Sequence, residues 1–151
     1  MANHLRRQIR ERATTTLTGL TTTASNVFPS RIYPMESAGL PGLCIYTQEE
    51  SIELQTMGST RNIQRDLSLI VEGYATASSD LDDTLDLIGK EVEIAMAGDV
   101  GLNALAGDSY LSAVEITISG EGSTGIGVIK HTFTVIYGNA ENAPDVATIG
   151  A

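Results

Sequence analysis

The segment from Asp66 to Met96 constrains the fold most strongly, because a strand pattern changes there into a capped amphipathic helix. Residues 67 to 74 alternate with the period of two that a strand has, and both faces carry apolar side chains. We therefore predict a strand inside a sheet, covered by helices on one face and partly covered by a neighbour or partner subunit on the other.

The helix after this strand has recognisable ends. Ser78, Ser79 and Asp80 are candidate N-caps, because their side-chain oxygens can accept hydrogen bonds from the free amides of the first turn. Gly98 is expected to end the helix. The residues between these ends recur at spacings of three and four, which predicts one stripe facing a core: Leu81, Leu85, Ile88, Val92 and Ala95.

The remaining chain predicts a second helix and four further strands. The helix is expected over residues 3–17, with Asn3 as its cap. In the strand before the last, Val114, Ile116 and Ile118 are predicted to point inward. The four strands are expected over residues 27–33, 43–47, 110–119 and 128–137.

Two segments between strands are predicted to be loops. Residues 48–62 are polar and contain Gly58, which indicates a protruding loop or hairpin tip. Residues 120–127 contain four glycines, but they have neither a lysine in place nor a following helix. We therefore expect a hairpin connection there rather than a phosphate-binding loop.

The predicted order of elements is α-β-β-β-α-β-β, and the predicted class is α+β. We expect a single domain with a mixed or antiparallel sheet and both helices packed on one face of it. The length of 151 residues fits one domain. Residues 1–137 are assigned to this domain, and residues 138–151, which lack periodicity, are predicted to form a flexible or partner-ordered tail.

Composition narrows the possible functions. The formal net charge of −10 argues against sequence-independent attraction to DNA. Cys44 is the only cysteine, so it cannot form a disulfide within the chain, and its apolar neighbours predict a buried thiol rather than a nucleophile. His131 is expected to pack within a strand. We expect neither a membrane-spanning segment nor a signal peptide, because no apolar run approaches the required length.

Charge is unevenly distributed along the chain. Arg6, Arg7 and Arg10 make the first helix basic, whereas residues 72–121 are acidic. A basic end and an acidic body favour head-to-tail self-association or docking between unlike surfaces. These three arginines are therefore candidate interaction residues, with a solvated helix face as the alternative interpretation.

One cluster of carboxylates, in the predicted helix after residue 80, is compatible with an enzymatic function. Asp82 and Asp86 share a helix face at a four-residue spacing, as a metal-binding pair does, and Asp83 and Glu91 lie nearby in the sequence. The aspartates lie opposite the apolar stripe, without a histidine or a shielding pocket. A solvated polar face is favoured, so we expect no catalytic residue, no metal, no cofactor and no enzymatic activity. A small metal-dependent enzyme is the alternative.

Five motifs follow one another in a particular order and spacing. They are SRIYPM (30–35), LPGLCIYT (40–47), LSLIVEGYA (67–75), LDDTLDLIGKEVE (81–93) and GVIKHTFTVIYG (127–138). Together they resemble the tail-terminator family of long-tailed bacteriophages, the minor tail protein U type. The resemblance covers residues 4–138, and its motifs are structural rather than chemical. The C-terminal tail departs from the family pattern.

The resemblance implies a structural virion protein. Six copies would form a ring that caps the head-proximal end of the tail tube, stops tube polymerisation and joins the head or neck. Its partners would be its own copies, the tail-tube protein and a head-completion or neck protein, while genomic DNA passes through the lumen without specific binding. It would lie at the head–tail junction after assembly in the host cytoplasm. A neck connector or a tail-tube subunit is the alternative.

Exposed charge in the predicted loop provides further candidate interaction residues. Glu49, Glu50 and Glu53 are candidates for lining the lumen or contacting the tube. Arg61 and Arg65, at the loop end and the start of the next strand, are candidates for ion pairs between subunits.

Overall fold

The predicted order of elements is confirmed in a computed structural model, which describes residues 2–29, 41–76, 80–119 and 125–148. The predictions for residues 30–33, for the N-caps Ser78 and Ser79, and for residues 120–124 lie outside this part of the chain. The elements are α1 (Leu5–Leu17), β1 (Val27–Phe28), β2 (Gly42–Leu54), β3 (Asn62–Thr76), α2 (Leu81–Ala97), β4 (Asp108–Ser119) and β5 (Ile126–Ala140).

Within the described residues, the sheet has five strands in the order β1-β2-β3-β5-β4. The short strand β1 runs parallel to β2, and all other neighbours are antiparallel. The last strand, β5, therefore lies between β3 and β4, and β4 forms an edge of the sheet. This mixed sheet with two helices in one domain confirms the predicted α+β class.

Both helices pack on one face of the sheet, which we call the helix face. The predicted stripe of α2 is buried at Leu81, Leu85, Ile88 and Val92, and Met96 completes it, since Ala95 is only partly buried. Helix α1 packs over β1 and β2, and α2 packs over β3 and β5. The buried side chains of α1 repeat every four residues: Leu5, Ile9, Ala13 and Leu17.

The helix ends differ in part from the prediction. Helix α1 is capped by His4, whose Nδ1 accepts a hydrogen bond from the Arg6 amide at 3.0 Å, so Asn3 is not the cap. Asp80 occupies the N-cap position of α2 but makes no side-chain capping hydrogen bond. Gly98 is the C-cap of α2, as predicted.

The polar segment 48–62 is mostly strand rather than loop. Strand β2 continues to Leu54 and β3 begins at Asn62, so only residues 55–61 form the turn. Pairing continues past an irregularity between Thr47 and Glu50. The predicted hairpin tip is confirmed for residues 55–61, whereas the prediction of a loop is wrong for residues 48–54. A strand near a sheet edge does not need the apolar content of a buried strand.

The inward orientation predicted for three residues of β4 is also wrong. Val114, Ile116 and Ile118 are 45%, 51% and 54% exposed. They lie on the helix face, because their cross-strand partners His131, Ile129 and Gly127 are buried on that face. Helix α2 lies over the neighbouring strands and leaves the side chains of β4 open.

The C-terminal segment is packed against the domain as far as the structure describes it. Strand β5 runs beyond residue 137 to Ala140, so no boundary falls there. Residues 141–148 then turn back across the start of α1, where the Leu5 amide donates to the Pro144 carbonyl at 2.8 Å. Residues 138–148 are therefore ordered by contacts within the subunit, in contrast to the predicted flexible or partner-ordered tail. Residues 149–151 lie outside the described residues.

Candidate functional site

An open apolar groove runs between α2 and β4 on the helix face. We call it the α2–β4 groove. One wall is formed by side chains of β4 that are all exposed: Leu111, Val114, Ile116 and Ile118. The floor is β5, where Ile129 and His131 lie directly beneath Gly89 of α2: a Cβ at Gly89 would meet the Ile129 Cδ1 at 3.1 Å. The absence of a side chain at Gly89 thus sets how closely α2 approaches this strand.

The helix wall of the groove is acidic. The Glu93 carboxylate lies 3.4 Å from the Nε2 of His131 on β5, so this side of α2 faces β4. Asp82 and Asp86 precede Glu93 by eleven and seven residues, which places them on the same side of a helix with 3.6 residues per turn. All three are exposed. The groove therefore combines an apolar strand wall with a negatively charged helix wall.

One end of the groove deepens into a cavity of about 370 Å³. It lies where the end of α2 approaches the start of β4. Its lining residues are mostly apolar: Glu93, Met96, Ala97, Val100, Ser109, Tyr110, Leu111 and Phe133.

A second exposed apolar surface lies toward the opposite edge of the sheet. Ile52, Leu54 and Met57 of the β2–β3 hairpin are 56%, 44% and 86% exposed. Ile52 pairs with Arg65 and Leu54 with Ile63, both of which are buried on the helix face, so the two side chains lie on that face. We call Ile52, Leu54 and Met57 the hairpin patch. The alternation of Ile52 and Leu54 around Glu53 is a sequence signal for this strand that the loop prediction for residues 48–62 missed.

Two predicted interaction residues meet inside the subunit instead of on its surface. Arg65 Nη1 donates to Glu50 Oε1 at 2.7 Å, and each of these side chains is only 9% exposed. Arg6 of α1 also donates to Glu50, at 2.9 Å. Tyr137 donates its hydroxyl to the same carboxylate, and Arg65 Nε donates to Asn139 at 2.8 Å. The expectations that Glu50 lies in an exposed loop and that Arg65 pairs with another subunit are therefore wrong.

The environment of Glu50 keeps its carboxyl ionised. Burial alone raises its pKa, but hydrogen bonds from Tyr137 and Arg65, and the charge of Arg65, outweigh burial and lower the pKa below the ordinary value of 4.5. The same contact and burial raise the pKa of Tyr137, with burial the larger cause. This network joins α1, β2, β3 and β5, so its evident role is to hold these elements together.

The other candidate interaction residues lie at the surface. Glu49 and Glu53 are exposed. Arg61 pairs with Glu141 at 2.8 Å, and Arg7 pairs with Glu11 at 2.8 Å. Ion pairs at such exposed positions stabilise a fold by roughly 0–1 kcal/mol, so these side chains are available to a partner at low cost.

Arg10 has an unusual environment among the candidate residues. It lies one turn after Arg6, and therefore on the side of α1 that faces β2. The Nε atom of Arg10 is buried and has no hydrogen-bond partner among the described residues.

The opposite face of the sheet, which we call the outer face, carries Cys44 and a pair of tyrosines around Glu72. Tyr46 and Tyr74 both donate their hydroxyls to Glu72. Cys44 is fully buried, as predicted, and burial followed by the charge of Glu72 raises its pKa to about 12. A thiol with so high a pKa is protonated at neutral pH and does not react as a thiolate.

Within the described ranges, no group of three or more histidine, cysteine, aspartate or glutamate side chains is arranged to hold a metal ion. Asp82, Asp83 and Asp86 are exposed and lie away from the buried stripe of α2. Neither described helix has the length and apolar content needed to cross a membrane.

Comparison with known proteins leaves the sequence without a match: no protein-family model matches it, and no curated protein does. The geometry of the described residues is therefore the basis for the functional argument. That geometry consists of two exposed apolar surfaces, a negatively charged groove wall and a buried structural network.

Proposed function

We propose that this chain is a structural subunit of a closed ring, and that the ring is a tail terminator of a long-tailed bacteriophage. The observation that carries the ring is the pair of unlike surfaces toward opposite edges of one sheet: the hairpin patch and the α2–β4 groove. A contact between two different surfaces of identical subunits is heterologous, and it closes into a ring when the rotation between subunits permits.

The assignment to tail terminators draws on the resemblance carried by the five sequence motifs. In this proposal six copies form a ring on the head-proximal end of the tail tube. One face of the ring is complementary to the last ring of the tube and the other is not, so tube growth stops there. The second face joins the head through a neck protein, and DNA passes through the lumen.

An in vitro capping assay tests this function. Purified protein is added to polymerising tail-tube protein of the same virus, and tube lengths and ends are measured by electron microscopy. We expect tubes that stop growing and carry one added ring at a single end. Unchanged lengths and bare ends would refute a terminator.

The same preparation distinguishes the alternatives. A tail-tube subunit forms long stacks when it is alone, and light scattering detects them. A neck connector binds the head and leaves free tubes uncapped. Labelling of intact virions gives an independent answer, since a terminator is found only at the head–tail junction.

A further inference from the structure

The apolar wall of the α2–β4 groove needs an explanation, because its exposed apolar side chains lie on a strand at the edge of the sheet. Val114, Ile116 and Ile118 form a continuous row on β4, each about half exposed. Proteins usually protect a sheet edge with charges, prolines or a covering element, since an open apolar edge pairs with other chains. Such a row on an edge strand indicates a surface that becomes covered in the assembled state.

The charge of the groove restricts what covers it. Asp82, Asp86 and Glu93 form its helix wall, so an occupant that places apolar side chains on β4 must bring positive charge toward α2. The chain as a whole carries a net charge of −10, so most of its own surface is unsuitable.

One described surface of the chain does combine apolar and basic groups. Ile52 and Leu54 of the hairpin patch lie on the helix face, on the same strand as Glu50, which Arg6 of α1 contacts. Arg10 follows Arg6 by one turn on the same side of α1. Arg6 is 41% exposed beyond its contact with Glu50, and the Arg10 side chain is partly exposed although its Nε is buried. Apolar side chains and neighbouring arginines thus match the apolar strand wall and the acidic helix wall of the groove.

We propose that the α2–β4 groove is occupied by the hairpin patch of a second copy of this chain. Ile52, Leu54 and Met57 of one copy cover the row on β4, and Arg6 and Arg10 of that copy face Asp86 and Glu93. The contact joins unlike surfaces, so a pair of copies keeps one free groove on one copy and one free hairpin patch on the other. The proposal rests on the proposed function for the closure of this chain of contacts into a ring.

Disulfide trapping tests which surfaces meet. Leu54→Cys and Ile116→Cys are made separately, and the native Cys44 stays because it is fully buried. Under oxidising conditions, each variant alone is expected to stay uncrosslinked, whereas an equimolar mixture forms a covalent dimer. The double variant is expected to form a ladder that ends at the ring size. A dimer from Ile116→Cys alone means that β4 pairs with β4, and no product in the mixture means that these surfaces do not meet. Either result overturns the proposal.

Matched substitutions test the contribution of each wall of the groove. Ile116→Glu is expected to weaken self-association in sedimentation by at least about tenfold, since a loss of about 1.4 kcal/mol has that effect. Thr117→Glu, on the outer face of the same strand, is the control and is expected to change it by less than about twofold. Equal effects of the two variants would contradict the proposal.

A charge exchange tests the acidic wall. Asp86→Arg is expected to weaken self-association, and Arg10→Asp in the same chain is expected to restore part of the loss. Asp83→Arg makes the same charge change on the same helix, away from the groove side, and is the control. If the double variant is no better than the worse single variant while both remain folded by circular dichroism, the pairing of these surfaces is wrong.

The outcomes separate this interface from the proposed function. Tube capping without the mixed crosslink would retain the terminator and reject the interface. The mixed crosslink without capping would retain the interface and reject the terminator. A different protein in the groove is indicated if wild-type chain stays monomeric at every concentration and no mixture crosslinks, and that result overturns the proposal.

Discussion

At the scale of single residues, the buried carboxylate of Glu50 is the feature that depends most on its hydrogen-bond partners. It accepts hydrogen bonds from Arg6, Arg65 and Tyr137, which come from three different elements. Its lowered pKa means that the fold favours the ionised form. The resulting stabilisation is present above pH 4.5 and is lost as the pH falls through the lowered pKa.

The network predicts that removal of Arg65, its buried cation, lowers the stability of the protein strongly. Arg65→Met is expected to destabilise the protein by about 3–5 kcal/mol, because Glu50 would remain buried without its closest cation. Arg61→Met makes the same change at an exposed ion pair and is expected to cost less than about 1 kcal/mol. Urea unfolding monitored by circular dichroism measures both. Similar losses in the two variants would show that the buried pair is no more important than a surface pair.

His131 is a second buried titratable residue, fully covered beneath α2. Burial lowers its pKa from 6.5, although the hydrogen bond and charge of Glu93 oppose this change. The folded state therefore favours the neutral imidazole. The unfolded chain binds a proton near pH 6.5 and the folded chain does so only at lower pH, so stability falls as the pH drops below 6.5.

This sign gives a pH-dependence that one substitution should reduce. The free energy of unfolding of the wild type is expected to fall between pH 6.5 and 5, and His131 contributes a slope of at most about 1.4 kcal/mol per pH unit for one proton. His4, whose pKa is also lowered by burial, contributes in the same direction. His131→Leu is expected to flatten the slope in this window, whatever its stability at pH 7. The acid loss from Glu50 lies below pH 4.5 and should persist in the variant. An unchanged slope in His131→Leu would assign the pH-dependence to other groups.

At the scale of elements, the packing of α2 on the sheet depends on close approach at small residues. A Cβ at Gly73 of β3 would lie 2.7 Å from the Cγ2 of Ile88 and 3.0 Å from the Cγ2 of Ile129. Neither atom can move without shifting a packed side chain. Gly73 is therefore required by packing, since its φ is not in the left-handed region.

Gly73→Ala is expected to destabilise the protein by about 1–3 kcal/mol, because the added methyl group overpacks the contact between α2 and β3. Gly98→Ala is the matched control: φ at the α2 C-cap is −81° and the nearest atom would be 3.5 Å from the new Cβ. That variant is expected to be neutral or slightly stabilising. Thermal unfolding of both variants checks the difference, and a tolerated Gly73→Ala would mean that α2 can lie farther from the sheet.

At the scale of the whole molecule, the two ends of the described chain pack together. The Leu5 amide at the start of α1 donates to Pro144, and the Gln8 side chain donates to the Asp145 carbonyl at 3.1 Å. The Thr148 amide returns to the Gly138 carbonyl at 2.9 Å. Residues 141–148 thus satisfy donors at the N-terminus of α1 that would otherwise bond to water.

Truncation after Ala140 is therefore expected to fray the start of α1 and to cost about 1–3 kcal/mol, from the loss of these hydrogen bonds. Hydrogen exchange at the amides of residues 5–9 is the most direct measurement, and faster exchange is expected there. Truncation after Thr148 keeps every one of these contacts and is the control. Unaltered protection after the longer truncation would show that the segment is dispensable for the helix.

Much of the architecture follows from local pattern, and the exceptions are specific. The stripe of α2 from Leu81 to Val92 and the order of elements follow from periodicity, because each pattern extends over one continuous segment. Sequence reasoning misses the pair of Glu50 and Arg65, since the two residues are fifteen positions apart and become partners only through the register of β2 and β3. The candidate groove is missed for a related reason: alternation in β4 marks two faces without indicating what covers them.

The sequence by itself determined the fold class, the order of the helices and strands, and the absence of an intrachain disulfide. These properties depend on composition and on periods of 2 and 3.6 residues, which act within single elements. Only the tertiary structure decided that Val114, Ile116 and Ile118 are open to solvent and that Glu50 is buried. Exposure depends on where α2 lies across the sheet, and that position is set by contacts between segments distant in the chain, such as Gly73 with Ile88 and Ile129.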